Sequence, residues 1–274
     1  MTRYVFGPVP SRRLGRSLGV DLTPFKTCSY DCIYCQLGRT TCKTIERKEW
    51  IPLDRIVAQL PERLTSKPDY ITLSGSGEPT LYSRVGELIA RIKTLTDVPV
   101  AVLTNGSLLW QEALRGQLLQ ADLVIPSLDA GSEAMFQAVN RPHEQISFGQ
   151  MVDGLVAFRQ EFKGAYWLEV MVVGGYTATV EEIGKLAACV DRIQPDRVQL
   201  NTVTRPPAEH EATAVSAERL SYFCSLFRPV AEVIADFRAV HQEAEFVASR
   251  NEVLTLLQRR PCSVFDVASG LGMH

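Results

Sequence analysis

Short apolar runs that end in small or polar residues alternate along the chain with longer stretches whose apolar positions recur every three or four residues. The short runs predict strands at 17–22, 70–73, 98–103, 123–127, 167–173 and 197–201. The longer stretches predict helices at 53–64, 84–93, 111–119, 148–161 and 180–193. In the last of these, Val180, Ile183, Leu186, Ala187 and Val190 form one apolar stripe. Strand and helix in alternation predict a parallel sheet, either doubly wound or closed toward a barrel. Polar residues cluster just past the strand ends, at 74–78, 104–106 and 201–205. That placement suits a whole or partial barrel, although open parallel sheets follow a similar rule.

From Ala217 onward the pattern turns helical. Leu220, Phe223, Cys224 and Phe227 make one stripe and residues 253–258 another. Residues 261–274 read as the opening of a helix-turn-helix, so this end is either a truncated winged-helix module or a helical cap. The expected division is a main domain over 1–207 and a helical C-terminal extension over 208–274.

The 274 residues are 46% hydrophobic and 22% charged with net charge −2, which supports a substantial core and gives no global basic field to attract nucleic acid. Apolar runs such as 98–103 are too short to span a bilayer. Residues 1–13 do not read as a signal peptide, so no membrane association and a cytoplasmic location are expected. The seven cysteines are an odd number, and three fall within eight residues. A reducing compartment and a metal or redox role explain this better than a disulfide framework. Cys42, Cys189, Cys224 and Cys262 are scattered singly and read as structural thiols.

Cys28, Cys32 and Cys35 have the spacing C-x₃-C-x₂-C, with Tyr34 immediately before the last cysteine. Three thiolates can hold three irons of a cubane cluster and leave the fourth iron open to chemistry. The competing reading is a structural zinc site completed by Cys42 or a histidine. Zinc sites favour paired C-x₂-C units, and no second pair occurs in this sequence.

The motif resembles the signature of the radical S-adenosylmethionine (SAM) superfamily, C-x₃-C-x-aromatic-C. The resemblance covers about residues 7–207. It implies a partial (β/α)6 TIM-like barrel with parallel strands, a [4Fe-4S] cluster on Cys28, Cys32 and Cys35, and SAM bound at the open iron. A low-potential donor such as ferredoxin or flavodoxin would supply the electron that cleaves SAM. The 5′-deoxyadenosyl radical so formed abstracts hydrogen from a substrate. Within the same resemblance, Ser76, Gly77 and Glu78 match the segment that binds the SAM ammonium. Small residues there let backbone approach the ligand, and Glu78 can accept ammonium protons. Asn105, Ser127 and Asp129 match strand ends that contact the carboxylate and ribose; for Asn105 and Asp129, helix capping serves equally well. Asn201 matches the adenine-facing position, and Tyr34 falls near the adenine. Glu169 reads either as part of this site or as a structural ion pair on the barrel wall.

Segments 10–19, 74–80 and 205–207 are similar to the wyosine-synthase-like group, whose true synthases rebuild a tRNA guanosine with a second cluster and a Schiff-base lysine. No cysteine precedes Cys28 here to supply the second cluster. Arg12, Arg13, Arg141 and Arg205 are candidate contacts to an anionic substrate, since arginine pairs bidentately with phosphate or carboxylate. The favoured substrate is RNA, such as tRNA, or a phosphorylated metabolite. Modification of a protein or small acid is the enzymatic alternative, and an iron–sulfur redox-sensing regulator the non-enzymatic one.

Overall fold

The computed structural model describes residues 3–235 and, beyond them, only Leu254 and Leu257. Ten strands lie in chain order: β1 (Val5–Ser11), β2 (Gly15–Val20), β3 (Thr27–Cys28), β4 (Cys42–Lys43), β5 (Tyr70–Leu73), β6 (Val100–Thr104), β7 (Leu123–Pro126), β8 (Ala165–Val172), β9 (Arg197–Thr202) and β10 (Glu232–Val233). Eight form one sheet, ordered β1-β2-β5-β6-β7-β8-β9-β10. All neighbours from β2 to β10 run parallel, and only the β1–β2 hairpin is antiparallel. The six predicted strands are β2 and β5 to β9, joined by helices as the alternation requires.

The helices are α1 (Leu53–Val57), α2 (Leu60–Leu64), α3 (Val85–Leu95), α4 (Glu112–Leu118), α5 (Glu133–Val139), α6 (Phe148–Glu161), α7 (Val180–Ile193) and α8 (Ala217–Cys224). Strand β8 shows how the two sides of the sheet are assigned. Tyr166, Leu168, Val170 and Val172 are buried in the main core, while the alternate residues Glu169 and Met171 face a central cavity. Strand alternation therefore turns one set of side chains under the helices and the other toward the chemistry.

The α7 stripe buries Ile183, Leu186, Val190 and Ile193, and Thr179 caps the helix by accepting from the Glu182 N–H at 3.1 Å. Val180, read as part of that stripe, is exposed because it opens the first turn. The single helix expected at 53–64 is two, α1 and α2. Pro61 lacks an N–H and crowds the preceding turn, so the chain breaks and restarts at Leu60.

Strand β1 was hidden in the sequence because two prolines and a glycine interrupt it. It is an edge strand, where a missing ladder donor is tolerated, and its register shifts between Phe6 and Val9. Beyond residue 207, α8 buries Leu220, Phe223 and Cys224 in the main core, and β10 extends the sheet along β9. The helix-turn-helix reading of 261–274 lies outside the described residues.

Candidate active site

The loop after β2 carries the cysteine triplet and is laced to the loop after β5. Thr27 forms a parallel bridge with Gly77, its carbonyl accepts from the Glu78 N–H at 3.0 Å, and Lys26 N–H donates to Ser76 O at 2.7 Å. A side chain at Gly77 would run into the Thr27 carbonyl, so this close approach requires glycine. Asp21, at the end of β2, accepts from the Ser76 N–H at 2.8 Å and lies where a Cβ at Gly75 would fall. Gly75 has φ 127, a backbone state that glycine alone adopts readily. The Ser-Gly-Ser-Gly-Glu segment is thus set against the cysteine loop by backbone contacts that larger residues would break.

Glu78 is buried and organises the strand ends. One carboxylate oxygen, Oε1, accepts from Thr80 N (3.0 Å), Thr80 Oγ1 (2.6 Å) and Thr104 Oγ1 (2.6 Å). The other, Oε2, accepts from Asn105 N at 2.8 Å, which leaves it acceptor capacity for a ligand cation. Burial raises the Glu78 pKa, against the lowering effect of those donors.

Cys28, Cys32, Cys35, Tyr34, Ser76, Gly77, Glu78, Asn105, Ser127 and Asn201 all border one cavity of about 570 Å³. So do Arg12, Arg13 and Arg205. Two of the sequence-derived candidates lie elsewhere. Asp129 sits behind the cysteine loop: its Oδ2 receives Tyr34 Oη and Asn140 Nδ2, and its Oδ1 receives Met171 N at 2.9 Å. Burial pushes its pKa up to about 6, with those donors working in the opposite direction. Arg141 turns its guanidinium to Glu209 at 2.7 Å and does not line the cavity. The Asn105 amide points to Ser29 Oγ (2.9 Å) and Cys28 Sγ (3.5 Å), toward the cysteine loop.

The opposite wall is a charged network. Arg12 donates to Asn201 Oδ1 (2.8 Å) and Thr204 Oγ1 (3.1 Å). Asn201 Nδ2 donates to Glu169 at 2.8 Å, and Glu169 pairs with Arg13 at 2.5 Å. Burial works to raise the Glu169 pKa, but Arg13, Asn201 and Arg12 outweigh it and hold the carboxyl below its usual value. Glu169 is thereby the ion pair on the barrel wall. Arg205 donates to Gln36 at 2.5 Å, tying the strand end after β9 to the cysteine loop.

Nothing local in the sequence singles out Asn140. Its buried position at the C-terminus of α5 is set by tertiary packing. Gln36 and Asp21 were missed for the same reason.

The fit of a metal centre can be judged from the thiols. Burial raises the pKa of all three, Cys28 to about 12, with neighbouring anions such as Glu78 and the other thiols adding to the effect. Three half-buried thiols gathered near carboxylates need a cationic group to hold them as thiolates, which suits a cluster. Among the described residues no set of three His, Cys, Asp or Glu side chains is arranged for a single metal ion. The described cysteines, Cys42 included, are all free of disulfides.

A family model described as the radical SAM superfamily matches residues 22–190. The chain is 38% identical over 229 residues to a UPF0026 protein of Methanocaldococcus jannaschii, covering 82% of this chain and 71% of that one. It is 42% identical over 272 residues to a Brachyspira hyodysenteriae protein named GTPase Obg, covering 97% of this chain but 40% of that protein. The matched residues here contain no G-x₄-G-K-[ST] phosphate loop. Among solved structures, a radical SAM methyltransferase from Sphaerobacter thermophilus aligns with a TM-score of 0.61 at 18% identity, over 79% of this chain and 65% of that one. Streptococcus suis SuiB bound to S-adenosylmethionine aligns with a TM-score of 0.60 at 12% identity, over 86% of this chain and 54% of that one. The chain belongs to the radical SAM superfamily and, within it, to the UPF0026 proteins. Its sheet and helices take the partial-barrel form of the radical SAM structures it aligns with. No helix among the described residues is long and apolar enough to cross a membrane.

Proposed function

We propose that the protein holds a [4Fe-4S] cluster on Cys28, Cys32 and Cys35, binds SAM beside it, and abstracts hydrogen from an anionic substrate, with RNA or a nucleotide favoured. One observation carries this reading: the three cysteines, the Ser76-Gly77-Glu78 loop and the arginines of the far wall border a single cavity. Cys28, Cys32 and Cys35 would hold the cluster, which when bound and reduced by a low-potential donor such as ferredoxin or flavodoxin would supply the electron for cleavage of SAM to the 5′-deoxyadenosyl radical. The chain's own residues bind and orient. Gly77 admits the methionine end of SAM, and Glu78 Oε2 has room for its ammonium. Ser127 and Asn201 line the path from there to the far wall, where the ribose and adenine would lie.

Arg12, Arg13 and Arg205 bring guanidinium groups to the cavity wall, and Asn201, Thr204 and Gln36 orient two of them. A fixed guanidinium fork suits phosphate or carboxylate. Arg205 follows β9 within the segment that resembles the wyosine-synthase-like group, a resemblance that favours a nucleotide over a small acid. A cytoplasmic location accords with the reduced cysteines that a cluster requires.

The test is anaerobic. Protein reconstituted with iron and sulfide is reduced with dithionite, given SAM and assayed for 5′-deoxyadenosine. Wild type is expected to form it and Cys32→Ala to form none. Addition of tRNA or of phosphorylated metabolites should then accelerate turnover with one class. Stoichiometric zinc in place of iron would overturn the proposal.

A further inference from the structure

Two side-chain amides reach the sulfurs of the cysteine triplet, one from each side. Asn105, just past β6, directs Nδ2 to Cys28 Sγ at 3.5 Å, and Asn140, at the end of α5, directs Nδ2 to Cys32 Sγ at 3.6 Å. We propose that Asn105 and Asn140 are positioning residues that donate N–H···S hydrogen bonds to the cluster thiolates and thereby set the reduction potential of the cluster. The inference rests on the reading that the three cysteines are cluster ligands.

The orientation of each amide is fixed by neighbours that cannot exchange roles. Asn105 Oδ1 accepts from the Ser107 N–H at 3.0 Å, so its nitrogen must face Ser29 and Cys28. Asn140 Nδ2 lies 2.9 Å from Asp129 Oδ2. A carboxylate only accepts, so turning the amide over would set two oxygens against each other. Asp129 is itself held by the Met171 N–H of β8 and by Tyr34 Oη. The backbone carbonyl of Asn140 accepts from the Asp31 N–H at 3.1 Å, which ties the helix end to the cysteine loop. Asn140 is 2% exposed, so water cannot replace its donor.

Both asparagines also link a sulfur to a buried carboxylate. Asn105 donates its backbone N–H to Glu78 and its side chain to Cys28. Asn140 divides one NH₂ group between Asp129 on one side and Cys32 with Tyr34 Oη (3.3 Å) on the other. Without these donors, Glu78 and Asp129 would oppose an added electron with nothing to offset them. A donor aimed at a ligand sulfur stabilises the more negative, reduced cluster more than the oxidised one and raises its potential. Backbone N–H groups also support two of the sulfurs, those of Ser29 and Tyr30 at Cys28 and that of Leu37 at Cys35.

The experiment is an EPR-monitored redox titration of reconstituted full-length protein without SAM or substrate, comparing wild type, Asn140→Leu and Asn105→Ala at measured iron content. Each variant is expected to shift its one-electron reduction equilibrium about tenfold toward the oxidised form, about 59 mV more negative. A purely structural role predicts less cluster per chain with the wild-type midpoint in what remains, and unchanged midpoints in both variants would overturn the inference. If a variant takes up no cluster, the wild type decides. Wild-type protein carrying amide-¹⁵N asparagine should show weak ¹⁵N coupling to the reduced cluster in pulsed EPR, and no coupling would overturn the inference. A wild type that binds no iron–sulfur cluster would instead sink the reading beneath it.

Discussion

Arg13, in the turn between β1 and β2, reaches Glu169 in the middle of β8 at 2.5 Å, joining the antiparallel hairpin to the far wall of the barrel. Their side chains are 11% and 15% exposed, so the pair is largely withdrawn from water. Removing one partner of a buried pair leaves the other charged and unsolvated, at a cost of about 3–5 kcal/mol. Arg13→Leu is expected to lose stability on that scale in urea unfolding at neutral pH. Glu169→Gln should lose less, because glutamine keeps an acceptor for Asn201. Equal stability of Arg13→Leu and wild type would show that the hairpin is held by its backbone ladder alone.

The same pair fixes a pH dependence. The folded-state pKa of Glu169 lies below its ordinary value, so folding is favoured by its ionised form. Its contribution is present in full above the unfolded carboxylate pKa of about 4.3 and disappears as pH falls through the lower folded value. The stability advantage of wild type over Glu169→Gln should therefore hold between pH 7 and pH 5 and shrink below about pH 4. Parallel unfolding curves for the two proteins across that range check the sign.

Gly77 meets the Thr27 carbonyl where a Cβ would stand, at the seam between the cysteine loop and the Ser-Gly-Ser-Gly-Glu loop. Gly77→Ala should force the loops apart, costing about 1–3 kcal/mol as overpacking does. The larger effect is expected on the ligand. SAM affinity measured by calorimetry should fall at least about tenfold, since each 1.4 kcal/mol is a factor of ten. Unaltered affinity would mean that SAM does not touch this seam.

The six parallel strands and the cysteine loop were legible because each is encoded locally. Apolar runs with polar ends name the strands, and a ligand spacing within eight residues names the loop. What was not legible depends on contacts distant in sequence. Asn140 lies 108 residues from Cys32, so nothing near that cysteine announces it, and Asp129, read as a SAM contact, is instead held by Tyr34, 95 residues away. Strand β1 was masked by prolines that only an edge position tolerates. Arg141 looked equivalent to Arg205 because both read as following strands, yet Arg141 follows α5, where Glu209 draws its guanidinium away from the cavity, while Gln36 holds that of Arg205 beside it.

That difference separates the arginines in an assay. Arg205→Ala and Arg12→Ala should raise the substrate KM at least about tenfold, the size of one lost charged hydrogen bond. Arg141→Ala removes a partly exposed ion pair and should change stability by no more than about 1 kcal/mol, with KM unaltered. Steady-state kinetics with the substrate found by the 5′-deoxyadenosine screen decide it. A KM that responds to Arg141 and ignores Arg205 would place the substrate outside the cavity.

Cys42 provides the sharpest contrast between a cluster and a zinc centre. It lies on β4, paired in register with Thr27 beside Cys28, and it is exposed, while the three motif cysteines border the cavity. A structural zinc site built on the triplet would need a fourth ligand, and Cys42 is the thiol its strand pairing brings nearest. A cluster with an open iron needs none. Cys42→Ser should therefore keep the iron and sulfide content of the wild type and its yield of 5′-deoxyadenosine. Cys35→Ala should lose both, because a second iron then has no protein ligand. Metal analysis beside the anaerobic cleavage assay reads the two variants together, and loss of metal in Cys42→Ser would return the triplet to a closed four-ligand site.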